Sequence, residues 1–311
     1  MNSPRDLPAN AVPGVLRVKP ARTCLLAALT RADSLALVPG AYDCITARLV
    51  ERAGFPALYV TGSGISMSAL GAPDVSLMSF AEVLERVKQI CDVVDIPVIA
   101  DADTGYGGPL NIIRTVRELE RAGVAGIQLE DQAWPKKCGH EPNRNVVSER
   151  EMTDRIKAAV DNRADPDLHI VARTDARTTL GLAAAIDRAN LYREAGADII
   201  FVESPESEDE LGRVAAAVKA PLLANMVEGG RTPILPKDRL QQLGFRFAIY
   251  PNALTRALSF AGARMLESLA EHGSTTGHSH AMLDHRALWN LFDYPQWTAL
   301  EDRYSGTARK E

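Results

Sequence analysis

The chain predicts a single α/β fold, a (β/α)8 barrel of the TIM type. Three observations predict it. Eight short apolar runs recur along the 311 residues, longer helical patterns lie between them, and glycine closes several of those patterns. Strands alternating with helices build a parallel sheet, and eight repeats are enough to close it. A doubly wound open sheet shares the alternation but has fewer repeats.

Taken in order, residues 1–20 form an N-terminal arm rich in proline and polar side chains, and a helix covers Arg22 to Arg31. The strands are Leu35–Val38, Ala57–Val60, Val98–Ala100, Gly126–Glu130, His169–Arg173, Ile199–Glu203, Leu222–Asn225 and Phe247–Tyr250. Helical patterns fill Asp43–Ala53, Phe80–Val94, Asn111–Ala122, Glu149–Val160 and Ala183–Ala195. Gly54, Gly123 and Gly196 follow three of these, as expected of helix C-termini. The barrel is expected to occupy 21–273, leaving 274–311 as a C-terminal helical segment for oligomerisation.

Composition narrows the function classes. A net charge of −5 and an isoelectric point near 5.8 give no reason to expect nucleic acid. No apolar run approaches the ~18 residues of a membrane span, and the N-terminus lacks the apolar core of a signal peptide. Cys24, Cys44, Cys91 and Cys138 form no Cys-x-x-Cys pair, so they read as reduced thiols of a cytoplasmic protein.

Chemistry concentrates between Val98 and His140. An apolar run ends in Asp101 and Asp103 before a glycine loop, and a second ends in Glu130 and Asp131. The run Lys136-Lys137-Cys138-Gly139-His140 follows, and its positive charge favours the thiolate of Cys138. In a barrel, strand ends converge on one face. Thr61, Gly62, Ser63, Asp101, Asp103, Glu130, Arg173, Asp175, Glu203 and Asn225 should therefore meet there, whereas any one alone would read as an ordinary strand-end polar residue. Oxygen ligands at Asp101, Asp103 and Glu130 favour Mg²⁺, with Mn²⁺ as substitute, over zinc. The competing motifs are incomplete: the calcium-loop positions hold Tyr106 and Ile112, and the third glycine of a dinucleotide fingerprint is Met67.

The stretches Asp101-Ala102-Asp103-Thr104-Gly105-Tyr106-Gly107, Gln128-Leu129-Glu130-Asp131-Gln132 and Lys136 to His140 resemble the isocitrate lyase / phosphoenolpyruvate mutase superfamily. The likeness runs from about Leu26 to Leu269, and the cysteine motif is that of the carbon–carbon lyase branch. The resemblance implies Asp101 as direct Mg²⁺ ligand, with Asp74, Asp103 and Glu130 holding the metal's waters. It implies that Tyr59, Thr61, Gly62, Ser63 and Arg173 grip the 2-oxo-acid end of the substrate, and that Cys138 is the catalytic acid. Glu203, His140 and Asn225 would surround the leaving carboxylate, with Lys136 and Gly139 in the same loop. Tyr59 is also a candidate for the base that takes the 2-hydroxyl proton. A homotetramer of helix-exchanged dimers is the implied assembly.

Substrate choice is expected to depend on the segment after the seventh strand. Relatives that take tricarboxylates offer a hydroxyl where this chain has Val227. One hydrogen bond to a third carboxylate would be missing, which favours a dicarboxylate, a 2-alkylmalate such as 2,3-dimethylmalate. Methylisocitrate cleavage, oxaloacetate hydrolysis, phosphonate chemistry and a non-catalytic dicarboxylate-binding barrel are the alternatives. The aromatic residues Trp289, Phe292, Tyr294 and Trp297 read as a helix packed on a neighbouring subunit, and His278 and His280 as a solvated linker.

Overall fold

The computed structural model describes residues 12–137, 139 and 144–305. Eight parallel strands close into a barrel in sequence order, with β8 pairing back onto β1. They are β1 (Ala36–Ala41), β2 (Leu58–Val60), β3 (Val98–Asp101), β4 (Gly126–Glu130), β5 (His169–Thr174), β6 (Ile199–Val202), β7 (Leu222–Asn225) and β8 (Phe247–Tyr250). The helices around them are α1 (Arg22–Arg31), α2 (Cys44–Arg52), α3 (Gly62–Leu70), α4 (Phe80–Val93), α5 (Pro109–Arg121), α6 (Glu149–Val160) and α7 (Arg177–Leu180). After these come α8 (Leu182–Glu194), α9 (Glu208–Ala217), α10 (Lys237–Leu243), α11 (Ala253–His272), α12 (His285–Leu291) and α13 (Tyr294–Ser305). No helix among the described residues is long and apolar enough to cross a membrane.

Local chemistry explains most boundaries. Asp43 and Ser79 cap α2 and α4 with reciprocal capping boxes, each satisfying otherwise unpaired N–H groups. Gly54, Gly123 and Gly196 all have positive φ, as required just past a helix end. β1 differs from expectation: it runs through Pro39 and Gly40, because the end of β8 comes close alongside. A side chain at Gly40 would collide with the Pro251 carbonyl. The helix α3 was not anticipated, since Gly62-Ser63-Gly64 shows no helical apolar period; Thr61 starts it by accepting from Gly64 N–H.

Two apolar layers hold the barrel. Inside it Val38, Tyr59, Ile99, Val171, Phe201, Leu223 and Phe247 pack together, and Leu26 of α1 plugs the amino end of the strands. Outside it, the alternate strand residues meet the helices in a larger core that includes Val87, Ile112, Ile156 and Tyr192. The C-terminal part is different. α11 ends at His272 with left-handed Gly273, where the barrel was expected to end, yet none of its residues is buried. The chain then returns to α2, where Asp293 accepts from Gly14 N–H and pairs with Arg48 and Arg52.

Candidate active site

The carboxyl ends of the strands surround a narrow pocket, with about 40 Å³ of room for water-sized molecules. Tyr59, Thr61, Ser63, Asp74, Asp101, Glu130, Lys136, Gly139, Arg173, Glu203 and Asn225 all line it. Alternation along parallel strands brings them together: Gln128 and Glu130 face inward from β4, as Val171 and Arg173 do from β5. Gly62 sits at the rim at the first turn of α3, and a Cβ there would come 3.1 Å from Asp101 Oδ2. Asp103 lies just behind the wall with a positive φ of 49°. Cys138 and His140 lie outside the described residues, but their neighbours Lys137 and Gly139 line the pocket.

Charge pairing is dense. Lys136 Nζ lies 2.7 Å from Asp74 Oδ1 and 2.5 Å from Asp103 Oδ1. Arg173 holds Asp175 with two hydrogen bonds, of 2.9 and 2.8 Å, and lies 3.3 Å from Glu130 and 3.4 Å from Glu203. Its guanidinium also sits over the Phe201 ring, 5.2 Å from the centroid. Asn225 Nδ2 donates to Glu203 Oε2 at 3.0 Å. Burial pushes the Asp103 carboxyl up to about 7, against the pull of Lys136 and with help from Asp101 and Asp74. Burial raises Glu130 as well, only partly offset by Arg173. Lys136 is held well above its ordinary range: burial lowers it, but Asp103, Glu130 and Asp74 outweigh that.

The donor set suits a hard cation. Glu130 Oε1 is buried with no hydrogen-bond partner among the described residues. Asp101 Oδ1 accepts from Asp103 N–H and Gln128 Nε2, at 3.1 and 3.2 Å, which fixes the carboxylate at the pocket wall. No three His, Cys, Asp or Glu side chains among the described residues form a ready-made cage. Lys136 sits between Asp74 and Asp103 instead. Mg²⁺ uses one or two carboxylates and keeps several waters, so a cage is not required for it.

The geometry bears on the candidate base. Tyr59 was a candidate base, but its phenol is buried and donates to Gln128 Oε1 at 3.0 Å. Burial and then Asp101 hold its pKa well above the ordinary tyrosine value, which opposes deprotonation of the phenol. Gln128, quoted in the motif without a role, braces both Tyr59 and Asp101; a polar residue inside an apolar strand was the available signal. Asn252, which accepts from Ser63 Oγ at 2.8 Å, was missed because the eighth strand ends without a charged group. Phe201, Val227 and Ile249 supply an apolar wall.

Comparison with known proteins gives the family. The phosphoenolpyruvate phosphomutase family matches residues 26–270. The chain belongs to that family. Within it, the chain is 46% identical to a 2,3-dimethylmalate lyase of Eubacterium barkeri, over 89% of this chain and 96% of that one. A carboxyvinyl-carboxyphosphonate phosphorylmutase of Arabidopsis thaliana is 42% identical over 89% and 83%. A 2-methylisocitrate lyase of Bacillus subtilis is 42% identical over 90% and 92%. Among solved family structures, an oxaloacetate acetylhydrolase with 3,3-difluorooxalacetate has a TM-score of 0.85 at 34% identity, covering 94% and 99%. A phosphonopyruvate hydrolase with oxalate and Mg²⁺ has a TM-score of 0.81 at 29% identity, covering 91% and 99%.

Proposed function

We propose that the protein is a carbon–carbon lyase that cleaves a 2-alkylmalate, with 2,3-dimethylmalate the leading candidate. The observation that carries this reading is the pocket itself, where Asp101, Glu130, Arg173, Glu203 and Asn225 face the apolar wall of Phe201, Val227 and Ile249. A dicarboxylate with alkyl groups has charges for Arg173 and Asn225, oxygens for a cation held by the carboxylates, and methyl groups for the apolar wall. Val227 offers no hydroxyl to a third carboxylate, which disfavours methylisocitrate.

The chemistry balances with one bond broken. The 2-hydroxyl gives its proton to solvent in the pocket, C2 becomes a carbonyl, and the C2–C3 electron pair moves onto the second fragment as an enolate. A proton then reaches C3, giving pyruvate and propionate from 2,3-dimethylmalate. Arg173 and the first turn of α3 at Gly62 and Ser63 hold the oxo-acid end; guanidinium forks and helix N-termini both suit carboxylates. Tyr59 donates to Gln128 and so braces the residue that holds Asp101. Lys136, His140 and Asn225 stabilise charge on the enolate, while Glu203 orients Asn225. Cys138 delivers the proton; the residues beside it are pinned by Gln132, which bonds Lys137, and by Ser204, 3.3 Å from the Gly139 carbonyl. Asp74, Asp101, Asp103 and Glu130 would hold Mg²⁺ or Mn²⁺, which when bound supplies Lewis acidity toward the 2-oxygen.

The working form is proposed to be a cytoplasmic homotetramer of helix-exchanged dimers. Exposed Phe260 and Leu266 on α11, and Leu283, Trp289 and Trp297 beyond it, support that assembly. The test is release of pyruvate, glyoxylate or oxalate from a panel of substituted malates, methylisocitrate, oxaloacetate and phosphonopyruvate, with and without Mg²⁺. Pyruvate from dimethylmalate is expected; turnover of phosphonopyruvate alone would overturn the reading.

A further inference from the structure

Behind the pocket wall lies a second buried polar cluster that the proposed chemistry does not use. Asp131 follows Glu130 at the end of β4 and points the other way, into the layer between β5 and α8. It is fully buried. Its Oδ2 accepts from Thr174 Oγ1 at 2.7 Å, from the Tyr192 hydroxyl at 2.7 Å and from Arg188 Nη1 at 3.2 Å. Arg188 and Tyr192 stand one turn apart on α8 and bond each other at 3.1 Å, so one helix face presents both donors. The other oxygen, Oδ1, accepts from the backbone N–H of Asp175 at 2.8 Å.

That last bond connects the cluster to the pocket. Asp175 is fully buried, and its carboxylate is the two-pronged partner of Arg173. Arg144 pairs with the same carboxylate and reaches Thr178 at 2.8 Å. Asp131 N–H in turn donates to the Arg173 carbonyl at 3.2 Å, so main chain and side chain are tied on both sides of β5. Without Asp175, Arg173 would be left between Glu130 and Glu203 and free to collapse onto either carboxylate.

We infer that Asp131, held by Tyr192 and Arg188, is a positioning residue that sets the direction of Arg173 through Asp175. The inference rests on the reading of Arg173 as the group that grips a substrate carboxylate. It assigns a specificity role to α8, which contributes nothing to the pocket lining. A guanidinium fixed by a buried fork presents its remaining N–H groups at one angle, which favours a carboxylate coplanar with an adjacent carbonyl over one twisted out of that plane.

Tyr192→Phe removes one donor and keeps the ring in the core; Asp131→Asn keeps the shape and removes the charge. Crystal structures of both variants report the Arg173–Asp175 contact, and calorimetry with oxalate in Mg²⁺ buffer reports the grip. Asp131→Asn is expected to release Arg173 from the fork and weaken oxalate about tenfold, with Tyr192→Phe weakening it about threefold, the scale of one hydrogen bond or less. KM for the substrate should rise by similar factors while kcat changes little, the pattern of lost uniform binding. Asp293→Asn serves as control, since a distant buried pair should lower thermal stability without moving oxalate affinity. Arg173 still forked on Asp175 in both variants overturns the inference. Release of Arg173 in a protein that binds no oxalate and cleaves no malate upholds the inference and removes the functional reading.

Discussion

The two ends of the barrel bury arginines in opposite ways. At the amino end of the strands they donate to backbone carbonyls. Arg22 bonds Gly123 O at 3.0 Å and the carbonyls of Cys91 and Val94, Arg246 bonds Ala32 O, and Arg163 divides its Nη1 between Leu168 O at 2.6 Å and Asp198 Oδ2 at 2.5 Å. At the carboxyl end Arg173, Arg144 and Lys136 meet carboxylates instead, and the carboxylates outnumber them. Carbonyls at helix ends need a donor wherever they are buried, so the lower arginines close the fold. Crowded carboxylates raise one another's pKa and cost stability, so the upper set serves a ligand that is cationic or makes its own hydrogen bonds. One end is built to persist, the other to react.

That contrast can be broken at either end. The largest effect is expected at Asp101. Asp101→Ala should abolish turnover with the melting temperature nearly unchanged, and chelation should do the same reversibly; full activity after exhaustive chelation would remove the metal from the mechanism. Cys138→Ser comes next, with kcat expected to fall by about 10²–10⁴, the value of a positioned proton donor. Steady-state kinetics at saturating substrate checks this, and an unchanged kcat defeats the role given to the thiol.

The remaining tests concern stability alone. Asp293→Asn breaks a buried pair with Arg48 and should cost about 3 kcal/mol at neutral pH. Burial pushes the Asp293 carboxyl upward, but Gly14 N–H, Arg48 and Arg52 outweigh it and hold it below the ordinary 3.8. A depressed carboxylate pKa stabilises the fold above the unfolded value and loses that contribution as pH falls through the folded one. Urea titrations at pH 7 and pH 3 should therefore show the difference between wild type and variant narrowing in acid; a gap that widens would contradict the assignment. Arg22→Met is the smallest change. It orphans carbonyls at two helix ends and should cost about 2 kcal/mol, visible by calorimetry, while kcat/KM stays as in the wild type. A loss of activity without a loss of stability would erase the distinction between the two ends.

Reading the sequence located β4, β7, β8, α1 and α6 at their observed residues, because a short apolar run or a strong helical period needs no partner to be recognised. The strand-end acids and Arg173 were also legible, since a charged residue closing an apolar strand is out of place unless something uses it. Loop-borne groups were harder. Gly62 to Leu70 is helical only because Thr61 caps it against the wall of the pocket, and Asn252 joins Ser63 across 189 positions of sequence.

By itself, then, the order of residues determined the eight repeats, the face on which the acids gather and the residue types available for chemistry. All of these follow from local periodicity and from the direction that parallel strands impose. Only the tertiary structure decided which charges became partners. It put Lys136 between Asp74 and Asp103, gave Arg173 to Asp175, and bonded the Tyr59 hydroxyl to Gln128. Pairing of buried charges depends on distances of a few ångströms between strands far apart in sequence, and burial then sets what each pair is worth.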